Sequence, residues 1–352
     1  MKLIHHRGRK ERMKRMKCLN AIVLVLGLCV FLTTAQSQQA PQPLKLVQKI
    51  PLPAVKGRID HISVDLQGKR LFLAALGNGT MEVIDLAAAK PLHTISGFKD
   101  AQAALYVPET NLIFISDGEL NLVNVYDGTT YKLVRSVTDL PGADNLRYDG
   151  FSARTYGAGL VDVAYRFGIR ALDSRDGKPM FDIPLDAKSE SFQVEMSTGR
   201  IFANLPTLGY IAVASENKRL VLDKWQVQGF KPFYPMALDT MNHRLFIGSR
   251  NPAKLVVLDT ESGKIVTSVE GVGHTDDLWY DAAHKRLYMS GGDGEIAVFE
   301  QRDADHYPLI AKIPSVPGAS TSFFVPELNR LYVPATPYAG QPAAVQVFAV
   351  QP

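Results

Sequence analysis

Beyond residue 35 this chain has no cysteine; Cys18 and Cys29 both lie near its start. The body of the protein therefore forms no disulfide, carries no haem-attachment Cys-x-x-Cys-His word and has no thiol nucleophile. Histidine is scarce, at 8 in 352 residues, and no His-Glu-x-x-His word occurs. That removes the helical zinc-hydrolase motif. No Gly-x-Ser-x-Gly elbow is present, and no glycine-rich word ends in Gly-Lys-Ser/Thr ahead of a helix, which removes the nucleophile elbow and the phosphate loop. Sustained 3.6-residue periodicity is missing as well, so no helix longer than a turn or two is required.

A basic surface is also absent once the leading segment is set apart. The whole chain has 39 Lys+Arg against 35 Asp+Glu, net +4. Lys2, Arg7, Arg9, Lys10, Arg12, Lys14, Arg15 and Lys17, with the single acid Glu11, belong to residues 1–35. Without that segment 31 basic and 34 acidic residues remain, net −3. A nucleic-acid surface needs clustered Lys and Arg, so no nucleic-acid partner is expected.

The leading segment reads as an address. Its basic stretch is followed by an apolar run, Leu19 to Leu32, and by the small residues Thr33-Thr34-Ala35. This is the layout of a Sec-type signal peptide over 1–35, with Met13 and Met16 as alternative starts and an uncleaved anchor as the alternative fate. A lipoprotein reading fails because Cys29 follows Leu28, where a small residue is needed. Cleavage after Ala35 implies a periplasmic or secreted protein with no membrane span left. Residues 36–43 form a polar, proline-containing linker expected to be disordered. Residues 44–352 are expected to fold as one monomeric domain, long enough to bury a core without staples.

Within that domain an aromatic residue recurs at Phe72, Phe114, Tyr156, Phe202, Phe246, Tyr288 and Tyr332, in steps of 42, 42, 46, 44, 42 and 44 residues. The surrounding words agree: Arg70-Leu71-Phe72-Leu73, Arg244-Leu245-Phe246-Ile247, Arg286-Leu287-Tyr288-Met289 and Arg330-Leu331-Tyr332-Val333. A second apolar run ends upstream of each aromatic, usually at a carboxylate (Asp65, Asp149, Glu195, Asp239, Asp281). A period in the low forties filled with short β-type runs is the signature of a propeller blade array. The expectation is an all-β, seven-bladed β-propeller of four-stranded antiparallel blades. In the first unit the strands A to D are read at Ile59 to Val64, Arg70 to Ala75, Met81 to Ile84 and Pro91 to Ile95.

The seventh unit lacks its last strand after Ala344 to Val350. Leu46-Val47-Gln48-Lys49-Ile50-Pro51 matches the sixth unit's final strand, Leu309-Ile310-Ala311-Lys312-Ile313-Pro314. The N-terminal strand is therefore expected to pair into the last blade and close the ring, which removes exposed sheet edges. The third unit is the irregular one, and its insertion is placed at Val161 to Gly168, between strands B and C.

The words Val83-Ile84-Asp85 and Val257-Leu258-Asp259-Thr260 before turns, two of the hairpins carrying Gly-Lys at Gly177-Lys178 and Gly263-Lys264, together with the Arg-Leu-Phe/Tyr strands, resemble the YVTN-repeat propellers, the YncE-like exported bacterial proteins. Arg-Leu-Phe-Ile stands where the naming tetrapeptide would be. The resemblance spans residues 44–352 and implies seven blades, an exported location and a binding or scaffold role. The related lactonase-type propellers imply a hydrolytic alternative.

In a propeller the chain enters each A strand at one end of the central channel. Twelve and eleven residues before each repeat aromatic stand Asp60-His61, Gln102-Ala103, Asp144-Asn145, Glu190-Ser191, Tyr234-Pro235, Asp276-Asp277 and Ser320-Thr321. Carboxylates fill the first place in Asp60, Asp144, Glu190 and Asp276. Such a ring suits an oxygen-liganded cation, Ca²⁺ or Mg²⁺, or a polar ligand bound also by His61, Asn145, Asp277, His274 and Arg250. Strand alternation would let one member of each pair face the channel. Three readings follow: a binding module for a small polar ligand, a scaffold for an envelope protein, or a metal-assisted hydrolase using the ring with His61 or His274. No residue is assigned a catalytic role.

Overall fold

The computed structural model describes residues 42–352. The expected signal segment, and the expected linker up to residue 41, lie outside the described residues. The chain begins its first strand, β1, at Leu44–Pro51. Blade one holds β2–β5 (Ile62–Asp65, Arg70–Ala75, Thr80–Asp85, Lys90–Ser96) and blade two β6–β9 (Ala101–Val107, Leu112–Asp117, Leu122–Asp127, Leu133–Val137). Blade three holds β10–β13 (Leu146–Asp149, Leu160–Tyr165, Gly168–Asp173, Pro179–Pro184) and blade four β14–β17 (Phe192–Glu195, Arg200–Leu205, Tyr210–Ser215, Leu220–Gln226). Blade five holds β18–β21 (Phe233–Asp239, Arg244–Arg250, Ala253–Asp259, Ile265–Glu270) and blade six β22–β25 (Thr275–Asp281, Arg286–Gly291, Glu295–Glu300, Leu309–Pro314). Blade seven joins β26–β28 (Phe323–Val325, Arg330–Ala335, Ala344–Val350) to β1.

Neighbouring strands in every blade are antiparallel, and the first strands of successive blades touch all round, with β26 against β2. The seventh blade is completed as the strand count predicts: β1 pairs with β28 from Leu44↔Val350 to Pro51↔Ala344. Closure buries Leu44 and Ile50 and leaves no blade incomplete.

Seven hydrophobic clusters fill the seven seams between blades. Middle strands such as Leu112–Asp117 are buried at every position because a neighbouring blade covers each face. Outer strands such as Lys90–Ser96 are almost wholly exposed. Phe72, Phe114, Phe202, Phe246, Tyr288 and Tyr332 sit in these clusters. The Asp and Gly of the hairpins behave as turn chemistry requires. Asp85 accepts from the backbone N–H of Ala87 and of Ala88, each at 2.8 Å. Gly263 has φ +67°, and a Cβ there would lie 2.3 Å from Trp225 Cγ, so both backbone and space demand glycine.

The arginine that opens the second strand of a blade is an inter-blade clamp. Arg70 binds Asp65 at 2.7 Å and reaches the Gly128 carbonyl and, at 2.9 Å, the Tyr131 hydroxyl of blade two. Arg200 reaches the Thr260 carbonyl at 2.9 Å and Glu261 at 2.7 Å in blade five. Arg244 reaches the Ala304 carbonyl at 2.8 Å and Asp305 at 2.7 Å in blade six, and Arg286 reaches the Gln351 carbonyl of blade seven. Blades two and three have leucine at this place, Leu112 and Leu160. There Arg135 bonds the Asp176 carbonyl at 2.7 Å across one seam, and Ser152 is hydrogen-bonded to Glu216 across the other.

Blade three departs from expectation. Its second strand is Leu160–Tyr165 and its third Gly168–Asp173, joined tightly, so no insertion lies at Val161 to Gly168. The extra residues come earlier, between the first and second strands, and include a helical turn, Ala153–Tyr156. Tyr156 thus belongs to that turn and not to a strand. The register Asp149↔Leu160 and Arg147↔Asp162 puts Asp162 where blade one has Phe72. The aromatic count misled because the insertion carried a tyrosine to the expected interval while the equivalent position holds a buried carboxylate.

Candidate functional site at the channel mouth

The loops entering the first strands bring the expected residues to one end of the channel, in two layers. Asp60 (1% exposed), Asp144 (5%), Glu190 and Asp276 form the outer layer. His61, Asn145 and Asp277, one residue further on, form a second layer. Both members of a pair face the site because the strand pairing is irregular there: the Asp60 N–H donates to the Ala74 carbonyl at 2.8 Å while the His61 N–H turns to Gln102 of the next blade at 3.1 Å, and in β22 the register shifts between Thr275 and Asp277.

The second layer is a line of polar contacts across the channel. His61 Nδ1 meets Asp277 Oδ2 at 3.2 Å, and His61 Nε2 meets Asn145 Nδ2 at 3.2 Å. Asn145 donates to the Glu190 carbonyl at 2.7 Å and accepts from Arg147 at 2.8 Å. Asp277 also accepts from the Ser322 N–H at 2.9 Å. Burial opposes protonation of His61, but Asp277 and Asp60 overcome it and hold the imidazole pKa up at about 10. At neutral pH His61 is therefore a cation: Nδ1–H is donated to Asp277, and Nε2–H, which the Asn145 amide nitrogen cannot accept, lies 3.7 Å from Asp60 Oδ1; it is unsuited to act as a base.

Each outer carboxylate turns to a basic side chain. Arg58 lies 2.9 Å from Asp60 and 3.7 Å from Asp276. Lys188 lies 2.8 Å from Asp144 and 3.3 Å from Glu190. Arg250 lies 2.9 Å from Asp276, donates to the Thr275 carbonyl at 2.8 Å and stacks on the Tyr234 ring at 3.9 Å. Burial, with the neighbouring carboxylates adding to it against His61 and Arg58, pushes Asp60 up to about 7. Glu190 and Asp276 are raised for the same first reason, burial. The five carboxylates Asp60, Asp144, Glu190, Asp276 and Asp277 thus face five basic groups, Arg58, Arg147, Lys188, Arg250 and His61.

The Ca²⁺ or Mg²⁺ seat expected from Asp60, Asp144, Glu190 and Asp276 is not formed among the described residues. No three His, Cys, Asp or Glu side chains there are placed to hold a metal, because cationic side chains occupy the space between the carboxylates. Asn204 is buried in β15 and accepts from the Glu190 and Ser191 N–H groups at 2.9 and 2.8 Å. His274 stands at the rim, 77% exposed, with Nδ1 2.7 Å from Asp293. A cleft of about 290 Å³ opens at this rim, lined by Arg58, Arg250, His274, Asp276 and Ser320 with two glycines.

Sequence reasoning missed Arg58, Arg147 and Lys188. A signal was present for two of them: Arg58-x-Asp60, Lys188-x-Glu190 and His274-x-Asp276 repeat a basic residue two before the acid.

No family model matches the chain, and no curated protein matches it in sequence. Among solved structures, a chain of Kuenenia stuttgartiensis hydrazine synthase is similar with a TM-score of 0.72 and 13% identity, over 84% of this chain and 98% of that one. A chain in the crystal structure of a mitotic checkpoint complex is similar with a TM-score of 0.70 and 10% identity, over 91% of this chain and 98% of that one. At such identities the likeness is one of fold: this chain is a seven-bladed β-propeller.

Proposed function

We propose that the protein is an exported binding module that takes a small anionic ligand, a carboxylate or similar oxyanion, at the channel mouth. One observation carries the reading: Arg58 and Arg250 converge on a single carboxylate, Asp276, at the floor of an open cleft edged by His274. Guanidinium groups held over a ring and against a carbonyl are pre-organised for planar oxyanions. Arg58 is 58% exposed and gives only Nη2 to Asp60 and Asp276, so further donors remain for a ligand. Export rests on the basic lead, the apolar run Leu19 to Leu32 and Thr33-Thr34-Ala35. A hydrolase reading would have to use His274, since His61 is a buried cation.

Calorimetric titration of the purified full chain with succinate, citrate and inorganic phosphate tests the proposal. Binding is expected for at least one anion, weakened by at least about tenfold, near 1.4 kcal/mol, in Arg250→Ala and in Arg58→Ala. No binding heat, or binding indifferent to both substitutions, refutes it. Heat from Ca²⁺ or Mg²⁺ that disappears in Asp60→Asn would restore the cation reading instead.

A further inference from the structure

At the base of the ring every seam but one is crossed by a side-chain clamp, and the exception is the seam between blades seven and one. Arg330 opens β27 as Arg200 opens β15, yet it donates only to the carbonyls of its own turn, Asn329 at 3.0 Å and Leu328 at 3.4 Å. Among the described residues it has no carboxylate within ion-pair distance. The reason lies in the facing hairpin. Asp85-Leu86-Ala87 of blade one corresponds to Asp259-Thr260-Glu261 of blade five, since Asp85 pairs with Arg70 as Asp259 pairs with Arg244. Ala87 therefore stands where Glu261 supplies the carboxylate for Arg200.

The missing clamp leaves a cleft of about 450 Å³, with Lys69, Ala87 and Arg330 beside the aliphatic walls Val47, Leu66, Leu86 and Leu328. Val47, Leu66 and Leu328 are 48%, 41% and 42% exposed. A guanidinium and a lysine beside exposed aliphatic side chains ask for an occupant that is both anionic and apolar. The intact seams show which kind: at the fourth and fifth blades the same guanidinium is met by a peptide turn offering a backbone carbonyl together with a carboxylate. Residues 1–41 of this chain contain one carboxylate, Glu11, so the leading segment is a poor source.

We infer that the seam between blades seven and one is a docking site for a segment of another protein, one that presents an Asp or Glu side chain next to an aliphatic residue. The segment replaces the turn contact that Ala87 cannot make. This site is at the base of the ring and is independent of the anion cleft at the opposite mouth.

The test uses the full chain and a fluorescently labelled peptide, Leu-Asp-Thr-Glu-Ser-Gly-Lys, the sequence of residues 258–264. Saturable binding is expected by anisotropy, weakened at least about tenfold when the peptide's Glu is replaced by Gln and in Arg330→Ala. Ala87→Glu is expected to raise the melting temperature and abolish peptide binding together, because the chain then fills its own clamp. A stable Ala87→Glu protein that binds the peptide unchanged overturns the inference, as does absence of saturable binding or indifference to Arg330→Ala. Decanoate binding that is lost in Arg330→Ala, while the peptide stays unbound, would also overturn it, making the cleft a fatty-acid site.

Discussion

The seam between blades three and four should make the protein less stable as pH rises through neutrality. Asp149 lies where Asp65 and Glu195 in other blades meet an arginine, but Leu160 stands in the arginine's place. Asp149 accepts instead from Ser152 at 2.8 Å, and Ser152 also bonds Glu216 of blade four. Asp162 lies close by, with Oδ2 buried and unpartnered, and Arg219 is the basic group that faces Glu216. Burial first, and Asp149 next, push Glu216 from 4.5 up to about 7; burial raises Asp162 as well. A carboxyl raised in the folded state holds a proton that the unfolded chain releases. Its contribution is full below pH 4.5 and is lost as pH rises to about 7. At 1.36 kcal/mol per tenfold change in proton affinity the limit is about 3 kcal/mol. Relaxation of the Ser152 loop and entry of water should reduce this to roughly 1–2 kcal/mol. Glu216→Gln keeps an oxygen for Ser152 and places an N–H₂ toward Asp149 at every pH. Urea denaturation should show the variant within about 0.5 kcal/mol of the parent at pH 5 and more stable by roughly 1–2 kcal/mol at pH 8. A difference between the two proteins that does not change with pH would refute the assignment of a retained proton to Glu216.

Ring closure is tested by Leu44→Ala and Ile50→Ala, each expected to cost about 2–4 kcal/mol in denaturant titration, with deletion of Leu44–Pro51 abolishing cooperative unfolding. Arg200→Ala should cost about 2–4 kcal/mol, because Glu195 then stays buried without its partner; a loss under about 0.5 kcal/mol would show the clamp to be ornamental. Gly263→Ala should cost at least about 2 kcal/mol through its positive φ and the clash with Trp225, read as a lowered melting temperature. The His61 ring should remain protonated from pH 6 to pH 8 in nitrogen-15 NMR, since its pKa is held near 10; a midpoint near 6.5 would dissolve the His61–Asp277 network.

Periodicity alone determined the blades. An aromatic at the third place of a short apolar strand is a local word, and its recurrence at intervals in the low forties leaves a closed array as the way to cover every apolar face, so β1 pairing with β28 was legible from a single unmatched strand. The approach of Asp60, Asp144, Glu190 and Asp276 was legible for the same reason, since equivalent positions in a ring are related by rotation. Blade three was not, because counting residues cannot tell a strand aromatic from one on an inserted turn, and Tyr156 happened to keep the interval. The charge state of the mouth was beyond sequence too. Whether a carboxylate ring awaits a cation or is already neutralised depends on where flexible side chains such as Arg58, Lys188 and Arg250 end, and those endpoints are set by contacts between blades far apart in the chain. The same holds for the clamps: Arg330 and Arg200 stand in like contexts, and only the hairpin that tertiary folding puts opposite them, Ala87 in one case and Glu261 in the other, makes one seam closed and the other open.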